Sequence, residues 1–287
     1  MIKKTVIFLI VAALFVGACT ETEPSDKEAN TGELLIVYTD WPESVAMTYL
    51  AEVLLERDMS YDVKLKLSEA DNVFSDIATA KSDVFLDAWK TATHLHYFNE
   101  YSDALEDLGS NYTEAKTGLV VPDYMEINSI EELPSVYTAP IVGIDSTAGI
   151  MKSTGEVIAA YDLNNELLVL SDAEMSERLE TAYKRREDIV VTGWEPHWLF
   201  YRYELKFLKD PKKVFMHKES IHTIARKGFS EEHPHAAEFF RRMQLNEKQM
   251  NALLYEMKLA AEPLEGVKEW IKKHEFTVNQ WTKNLGK

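Results

Sequence analysis

Three tryptophans stand near the ends of predicted strands, and tryptophan is the side chain best suited to hold a cation that cannot donate hydrogen bonds. Trp41, Trp89 and Trp194 each follow a short apolar run of strand type. A desolvated indole face contributes roughly 2 kcal/mol to binding a quaternary ammonium group, so three would contribute roughly 6 kcal/mol. A micromolar site needs roughly 8 kcal/mol net. A second anchor is therefore expected beside the three rings.

The second anchor is predicted from a turn and a histidine. The small-residue turn from Ser146 to Gly149 precedes a predicted helix, and backbone N–H groups at a helix start favour an anion. His94 lies five residues after Trp89 and could donate a further hydrogen bond. The alternative role for His94 is to cap a helix over residues 92–99. A site for a methylated cation beside a site for a carboxylate describes a betaine.

Two similar β-α-β-α-β units position these residues. The first has predicted strands at 34–38, 63–67 and 84–86 with helices from Pro42 and over 71–80. The second has predicted strands at 141–144, 167–170 and 189–191 with helices over 150–161 and 171–186, the latter opened by a Ser171–Glu174 capping box. Ligands of open α/β sheets bind beyond the carboxyl ends of the strands. Two such ends facing each other would form a cleft.

The rest of the chain is predicted to join the two units into two lobes. Extended segments at 117–121 and 222–225 border the second unit and would form a two-segment hinge. Three helices, at 236–243, 247–260 and 265–273, are expected to pack back on the first lobe. We therefore assign residues 33–120 and 225–287 to lobe I and residues 121–224 to lobe II.

The N-terminus has the pattern of a signal peptide over residues 1–18. Lys3 and Lys4 precede an apolar run at 6–16, which is too short to span a bilayer, and small residues precede Cys19. This resembles a bacterial lipoprotein signal, in which Cys19 becomes the lipidated N-terminus. The alternative is a chance cysteine in a cleaved signal. The polar segment 19–32 would then be a flexible tether, and the body would lie on the extracytoplasmic face of the cell membrane.

Composition excludes several classes of protein. The 287 residues are 46% hydrophobic, which argues against general disorder, and Cys19 is the only cysteine, so no intramolecular disulfide can form. The formal charge of −17 comes without a Lys/Arg cluster and makes nucleic acid an unfavourable partner. A net negative charge that only keeps the protein soluble would look the same, so the charge does not by itself indicate a partner.

Two other classes of function have some support in the residues. The pairs His94/His96 and His233/His235 could contribute to a metal site, although neither pair has a clear third ligand, and a lipid-anchored metal-binding protein is therefore an alternative. Asp40 and Asp87 could form a carboxylate pair for glycoside hydrolysis, or could orient loops and accept hydrogen bonds from the indoles. The motifs of serine hydrolases, phosphate loops and zinc proteases are absent from the sequence. No enzyme activity and no cofactor are therefore predicted.

Four segments carry a family resemblance: YTDW at 38–41, LDAWKTATH at 86–94, GIDSTAGIM at 143–151 and TGWEPHW at 192–198. They resemble the glycine betaine and related quaternary-ammonium substrate-binding proteins of ABC importers. The resemblance implies a two-lobed α/β fold of the periplasmic-binding-protein type (type II) that closes around its ligand. It also implies two partners, a membrane permease and its ATPase.

The same resemblance assigns site residues. It implies that Trp41, Trp89 and Trp194 are the walls of an aromatic cage. It further implies that His94 and the backbone amides of Gly149 and Ile150 contact the ligand's carboxylate. Pro42 stands before Glu43 where the family pattern has a small residue. A choline- or carnitine-specific binder of the same family is the alternative to a glycine betaine binder.

Overall fold

A computed structural model describes residues 32–215 and 218–286 of the chain. The predicted signal peptide, Cys19 and the tether up to residue 31 lie outside the described residues. Among the residues described, no helix combines the length and the apolar character needed to cross a bilayer.

The first β-α-β-α-β unit is present as predicted. Its elements are β1 (Glu33–Tyr38), α1 (Pro42–Met59), β2 (Asp62–Leu67), α2 (Ala70–Ala78) and β3 (Val84–Trp89). β1 pairs in parallel with both β2 and β3, which is the pairing that helical crossovers produce. Pro42 occupies the first turn of α1, where its missing N–H costs no hydrogen bond. The carboxyl ends of β1 and β3 therefore lie side by side, next to Trp41 and Trp89.

One long strand leads from the first unit to the second. After α3 (Leu95–Glu100), β4 runs over Leu105–Pro122, followed by a 3-10 turn at Ile130–Glu132 and α4 (Leu133–Val136). Sequence predicts only residues 117–121 of β4. Its first half, LEDLGSNYTEAK, lacks an apolar pattern and is extended because it pairs with a strand more than a hundred residues away.

The second unit also forms, and its first two strands are shorter than predicted. It contains β5 (Ile141–Val142), α5 (Gly149–Ala160), β6 (Leu167–Leu168), α6 (Asp172–Arg185) and β7 (Val191–Glu195). The predicted capping box is confirmed, because Ser171 and Glu174 exchange side-chain and backbone hydrogen bonds at the start of α6. β7 begins two residues later than predicted and extends through Trp194, so this tryptophan lies within the strand.

The remaining elements return to the first unit. They are α7 (Trp198–Arg202), β8 (Leu205–Phe207), β9 (Glu219–Arg226), α8 (Phe229–Glu232), α9 (Pro234–Arg242), α10 (Glu247–Leu259), α11 (Pro263–Lys273) and α12 (Glu275–Thr282). α10, α11 and α12 contact α1, as expected of helices with no strands of their own to cover. Trp270 and Trp281 are buried in this layer. Sequence did not predict α12.

The strands join in the order β2-β1-β3-β9-β4-β7-β5-β6, with β8 also paired to β4. β9 runs antiparallel to both β3 and β4. The first part of β4 pairs with β9 and its second part, from Lys116 to Val120, pairs with β7. β4 is thus the strand shared by the two units. The division into lobe I and lobe II at these segments stays a prediction.

Two glycines give a matched test of the packing of the C-terminal helices. A Cβ on Gly266 in α11 would lie 2.5 Å from the carbonyl oxygen of Glu256 in α10, whereas one on Gly155 in α5 would meet nothing within 4 Å. We expect Gly266→Ala to lower the free energy of unfolding by about 1–3 kcal/mol through overpacking. We expect Gly155→Ala to raise it by about 1 kcal/mol through helix propensity. Urea unfolding measures both, and an equal effect of the two variants would contradict the close approach of α10 and α11.

Candidate functional site

The structure brings the residues predicted from sequence to one cavity. Trp41, Trp89 and Trp194 are between 2% and 6% exposed, and all three line the same small cavity. His94, Gly149 and Ile150 line the same cavity; the other lining residues are Glu43, Thr93, Thr117, Ile144 and Ala148. No lysine or arginine is among them. The walls are therefore mainly aromatic, with a few polar groups.

Each indole N–H faces an acidic side chain. Trp41 Nε1 donates to Asp145 Oδ2 at 3.2 Å, and Trp89 Nε1 donates to Asp87 Oδ1 at 2.9 Å. The N–H of Trp194 faces the carboxyl group of Glu43 without a well-formed hydrogen bond. An anionic acceptor on an indole N–H polarises the ring and makes its face more attractive to a cation. It also fixes the ring orientation.

Trp41 connects the two units of the fold. It occupies the N-cap position of α1, and its ring stacks on the His94 ring with 6.3 Å between centroids and 18° between planes. Its acceptor, Asp145, belongs to the loop between β5 and α5 in the second unit. The sequence suggested that Asp40 and Asp87 accept hydrogen bonds from indole N–H groups. The structure confirms such a bond for Asp87, whereas the Trp41 N–H donates to Asp145 and not to Asp40.

His94 is held as a neutral donor. Trp89 donates its backbone N–H to Nδ1 of His94 at 3.0 Å, so Nδ1 carries no proton and the proton lies on Nε2. Nε2 is buried and has no hydrogen-bond partner among the described residues. Burial lowers the pKa of His94 to about 3, with a smaller contribution from His96. Although His94 stands at the N-cap of α3, its side chain caps nothing there, which removes the alternative role.

The start of α5 supplies further donors. Gly149 and Ile150 are its first two residues, where backbone N–H groups have no acceptor within the helix, and Ala148 provides no side-chain cap. Both residues line the cavity opposite the indoles. The positive end of the helix dipole adds to the attraction for an anion.

Gly149 is also where the two units touch. A Cβ at this position would collide with Thr93 Cγ2 and lie 2.9 Å from the Thr93 carbonyl oxygen. Glu219 in β9 fixes the Thr93 segment: its carboxylate accepts hydrogen bonds from the amides of Ala92 and Thr93 and from the Thr93 hydroxyl. The close approach therefore depends on a glycine at 149 and on an acidic residue at 219.

Sequence reasoning missed several residues of the site. Glu43 is 2% exposed and lines the cavity, yet in the sequence it is only an acidic residue in the first turn of a helix, which is a common arrangement. Thr93 lies inside the segment LDAWKTATH, one residue before His94, and this position could have indicated that it lines the site. Asp145 likewise lies inside the segment GIDSTAGIM, but nothing in the sequence indicates its contact with Trp41. Thr117 lies outside the four segments and carries no such signal.

The arrangement suits a small ligand with a cation at one end and an anion at the other. The indole faces can hold the cation, and the N–H groups of His94, Gly149 and Ile150 can hold the anion. Within residues 32–215 and 218–286, no three His, Cys, Asp or Glu side chains are grouped as metal ligands would be. His233 instead packs its ring against Tyr61 and Phe229.

Comparison with known proteins agrees with this geometry. A family described as the substrate-binding domain of an ABC-type glycine betaine transport system matches residues 32–273. The glycine betaine/carnitine transport binding protein GbuC of Listeria monocytogenes is 36% identical over 179 residues, which are 61% of this chain. The matched segment spans 59% of the length of GbuC.

Solved structures share the fold. Lactococcal OpuAC, closed around glycine betaine, matches with a TM-score of 0.82 and 33% identity, over 88% of this chain and all of that chain. The glycine betaine/L-proline-binding protein ProX of Borrelia burgdorferi also has a TM-score of 0.82, with 28% identity, over 88% and 99% of the two chains. These matches confirm the predicted two-lobed α/β fold of the periplasmic-binding-protein type.

The approach of Thr93 to Gly149 can be tested with one methyl group. We expect Gly149→Ala to hold the two units apart and to weaken binding of glycine betaine at least tenfold, because a collision with backbone cannot be relieved by a side-chain rotation. Gly155→Ala, on the same helix but in open space, should bind like the wild type. Isothermal titration calorimetry measures the affinities. Equal affinities of the two variants would show that the contact does not limit binding.

Proposed function

Since the chain belongs to the family of substrate-binding domains of ABC-type glycine betaine transport systems, we propose that it captures glycine betaine or a related quaternary-ammonium osmolyte for import. The family match confirms the resemblance predicted from the four sequence segments. The family is one of transport proteins and not of enzymes, so capture requires no chemistry. The proposed partners are a membrane permease and its ATPase.

One observation carries this proposal: three nearly buried indoles share a cavity with the unpartnered Nε2–H of His94 and the first two backbone N–H groups of α5, and no lysine or arginine lines it. A basic side chain would repel the cation, and an aliphatic wall would not compensate for the water that the cation loses. A ligand with only a cation would leave the Nε2–H of His94 without an acceptor, and an unpaired buried donor costs about 1–3 kcal/mol. A betaine satisfies both ends of the site.

Binding is proposed to close the two lobes. The cation-binding rings come from both units, since Trp41 and Trp89 belong to the first and Trp194 to the second. The carboxylate would join His94 in the first unit to the start of α5 in the second. Contacts with both lobes favour the closed conformation over the open one. The contacts Trp41–Asp145 and Thr93–Gly149 would then stabilise it.

The Trp89 ring gives the most direct test of the cage. Trp89→Ala should weaken glycine betaine binding by about 30-fold, which corresponds to the loss of about 2 kcal/mol from one desolvated indole face. Trp198 is half-buried outside the cavity, and Trp198→Ala is the matched control, expected to bind like the wild type. Calorimetric titration measures both. A Trp89→Ala protein with wild-type affinity would remove the basis of the cage.

Choline and carnitine distinguish the alternatives within the family. Choline has the methylated cation without a carboxylate, so the donors of His94, Gly149 and Ile150 favour glycine betaine over choline. Titration of the same preparations with proline betaine, carnitine and choline ranks the ligands. Equal affinity for choline and glycine betaine would contradict the carboxylate half of the site.

The proposed location is the extracytoplasmic face of the cell membrane, with a lipid on Cys19. The support is the sequence of residues 1–19, a short positive start followed by an apolar run and small residues. A lipid chain with a polar tether would keep the binding protein near its permease.

Cys19→Ala tests the anchor. We expect the wild type in the membrane fraction of cells that express the full chain, and we expect Cys19→Ala to lose the lipid and to leave that fraction or stay unprocessed. Mass spectrometry of the mature N-terminal peptide identifies the modification. An unmodified Cys19 in mature wild-type protein would overturn the anchor and would leave the proposed ligand unaffected.

A further inference from the structure

Two buried carboxyl groups lie beside the cage, and the proposed function gives them no role. Glu43 and Asp87 are 2% and 1% exposed. Oε2 of Glu43 and Oδ2 of Asp87 have no hydrogen-bond partner among the described residues, whereas Oδ1 of Asp87 accepts the Trp89 indole N–H. Glu43 lines the cavity and Asp87 does not. The Glu43 carboxyl is therefore an unpartnered buried group exposed to a ligand in the cavity.

The surroundings of Glu43 favour its neutral form in the empty site. Burial raises its pKa above the usual range, and the neighbouring Asp87 raises it further, with a smaller effect from Asp172. The Trp194 indole and the backbone at the start of α1 oppose this rise. Burial also raises the pKa of Asp87, against its hydrogen bond from Trp89. His94, the base that lines the cavity, is neutral and supplies no positive charge.

We propose that Glu43 is the counter-ion of the bound methylated cation, and that entry of the cation displaces the proton that the Glu43–Asp87 pair holds in the empty site. The O–H bond of the carboxyl group breaks, and the proton passes to solvent. No other bond changes. The inference rests on the proposed function, because it requires a cation between the indole rings.

Asp87 has the supporting role in this proposal. Both groups are buried, and the charge of Asp87 acts on Glu43, so ionising both without a compensating charge is unfavourable and one proton stays on the pair when the cavity is empty. A cation in the cavity supplies a compensating positive charge next to Glu43, while Asp87 continues to accept the hydrogen bond from the Trp89 indole N–H. The acidic pair thus favours a ligand with a permanent positive charge, because only a cation is attracted by the ionised Glu43 carboxylate.

The pH dependence has a definite sign. Glu43 holds a proton in the empty site and loses it in the complex, so affinity rises with pH by up to tenfold per unit until the empty site itself loses its proton. Proton uptake by His94 on carboxylate binding would have the opposite sign. Choline has no carboxylate, and its pH dependence therefore reports on the acidic pair alone.

Calorimetric titration in two buffers of different ionisation enthalpy counts the protons exchanged on binding. Glycine betaine and choline are the probes, from about pH 5 to about pH 8. The proteins are the wild type, Glu43→Gln and Glu56→Gln; Glu56 lies exposed on the same helix and serves as the matched control. We expect release of up to one proton from the wild type and from Glu56→Gln, and none from Glu43→Gln.

Several outcomes separate this inference from the proposed function. Affinity of the wild type for choline should rise with pH, and the same curve for Glu43→Gln should be flat, with weaker binding at neutral pH. Binding without proton release by the wild type, net proton uptake with choline, or unchanged release from Glu43→Gln would overturn the role of Glu43 and leave the cage intact. If neither glycine betaine nor choline binds, the proposed function itself is overturned. The wild-type measurements decide the matter even if Glu43→Gln does not fold.

Discussion

A cation without hydrogen-bond donors loses its hydration when it enters a protein, and only a polarisable or charged surface can compensate for that loss. Three nearly buried indole faces provide such a surface in this chain, and each indole N–H faces a carboxyl group: Asp145, Asp87 or Glu43. The hydrogen bonds to Asp145 and Asp87 fix the orientation of the Trp41 and Trp89 rings. The other features of the site follow from the need to place these rings around one small volume.

The need to place the rings explains why the fold is built from two similar units. Indoles at the carboxyl ends of strands in a single sheet lie side by side, as Trp41 and Trp89 do, and cannot surround a ligand. The third ring comes from the second unit, and β4 connects the two units by pairing with β9 in its first part and with β7 in its second part. The small cavity and the collision that a Cβ at position 149 would cause with Thr93 show how closely the two units approach.

Both ends of the proposed ligand are recognised by groups kept free of formal positive charge. His94 is neutral because it is buried, and its orientation is fixed by the Trp89 backbone N–H. The start of α5 offers N–H groups with partial charge only. Since the proposed ligand would bring its own positive and negative charges, the cavity would need no lysine or arginine, and in our proposal Glu43 gains a partner only when the cavity is filled.

Several features could be read from the amino-acid sequence before any coordinates: the repeated strand–helix units, the three tryptophans near strand ends, the capping box of α6 and the small-residue turn before α5. These features are local: hydrophobic periodicity, capping residues and turn residues act within a few positions of each other. Four short segments also identified the family. The cavity-lining residues His94, Gly149 and Ile150 lie inside those segments, so their positions could be predicted.

The contacts across the cavity could be identified only from the folded structure. It paired Trp41 with Asp145, brought Thr93 against Gly149, and turned Glu43 from an ordinary helix-start residue into a buried carboxyl beside Asp87. It also made the first half of β4 a strand, through pairing with β9. The physical reason is the same in each case: the contact joins residues far apart in the chain, and burial, which sets protonation states, is a property of the assembled fold and not of any local segment.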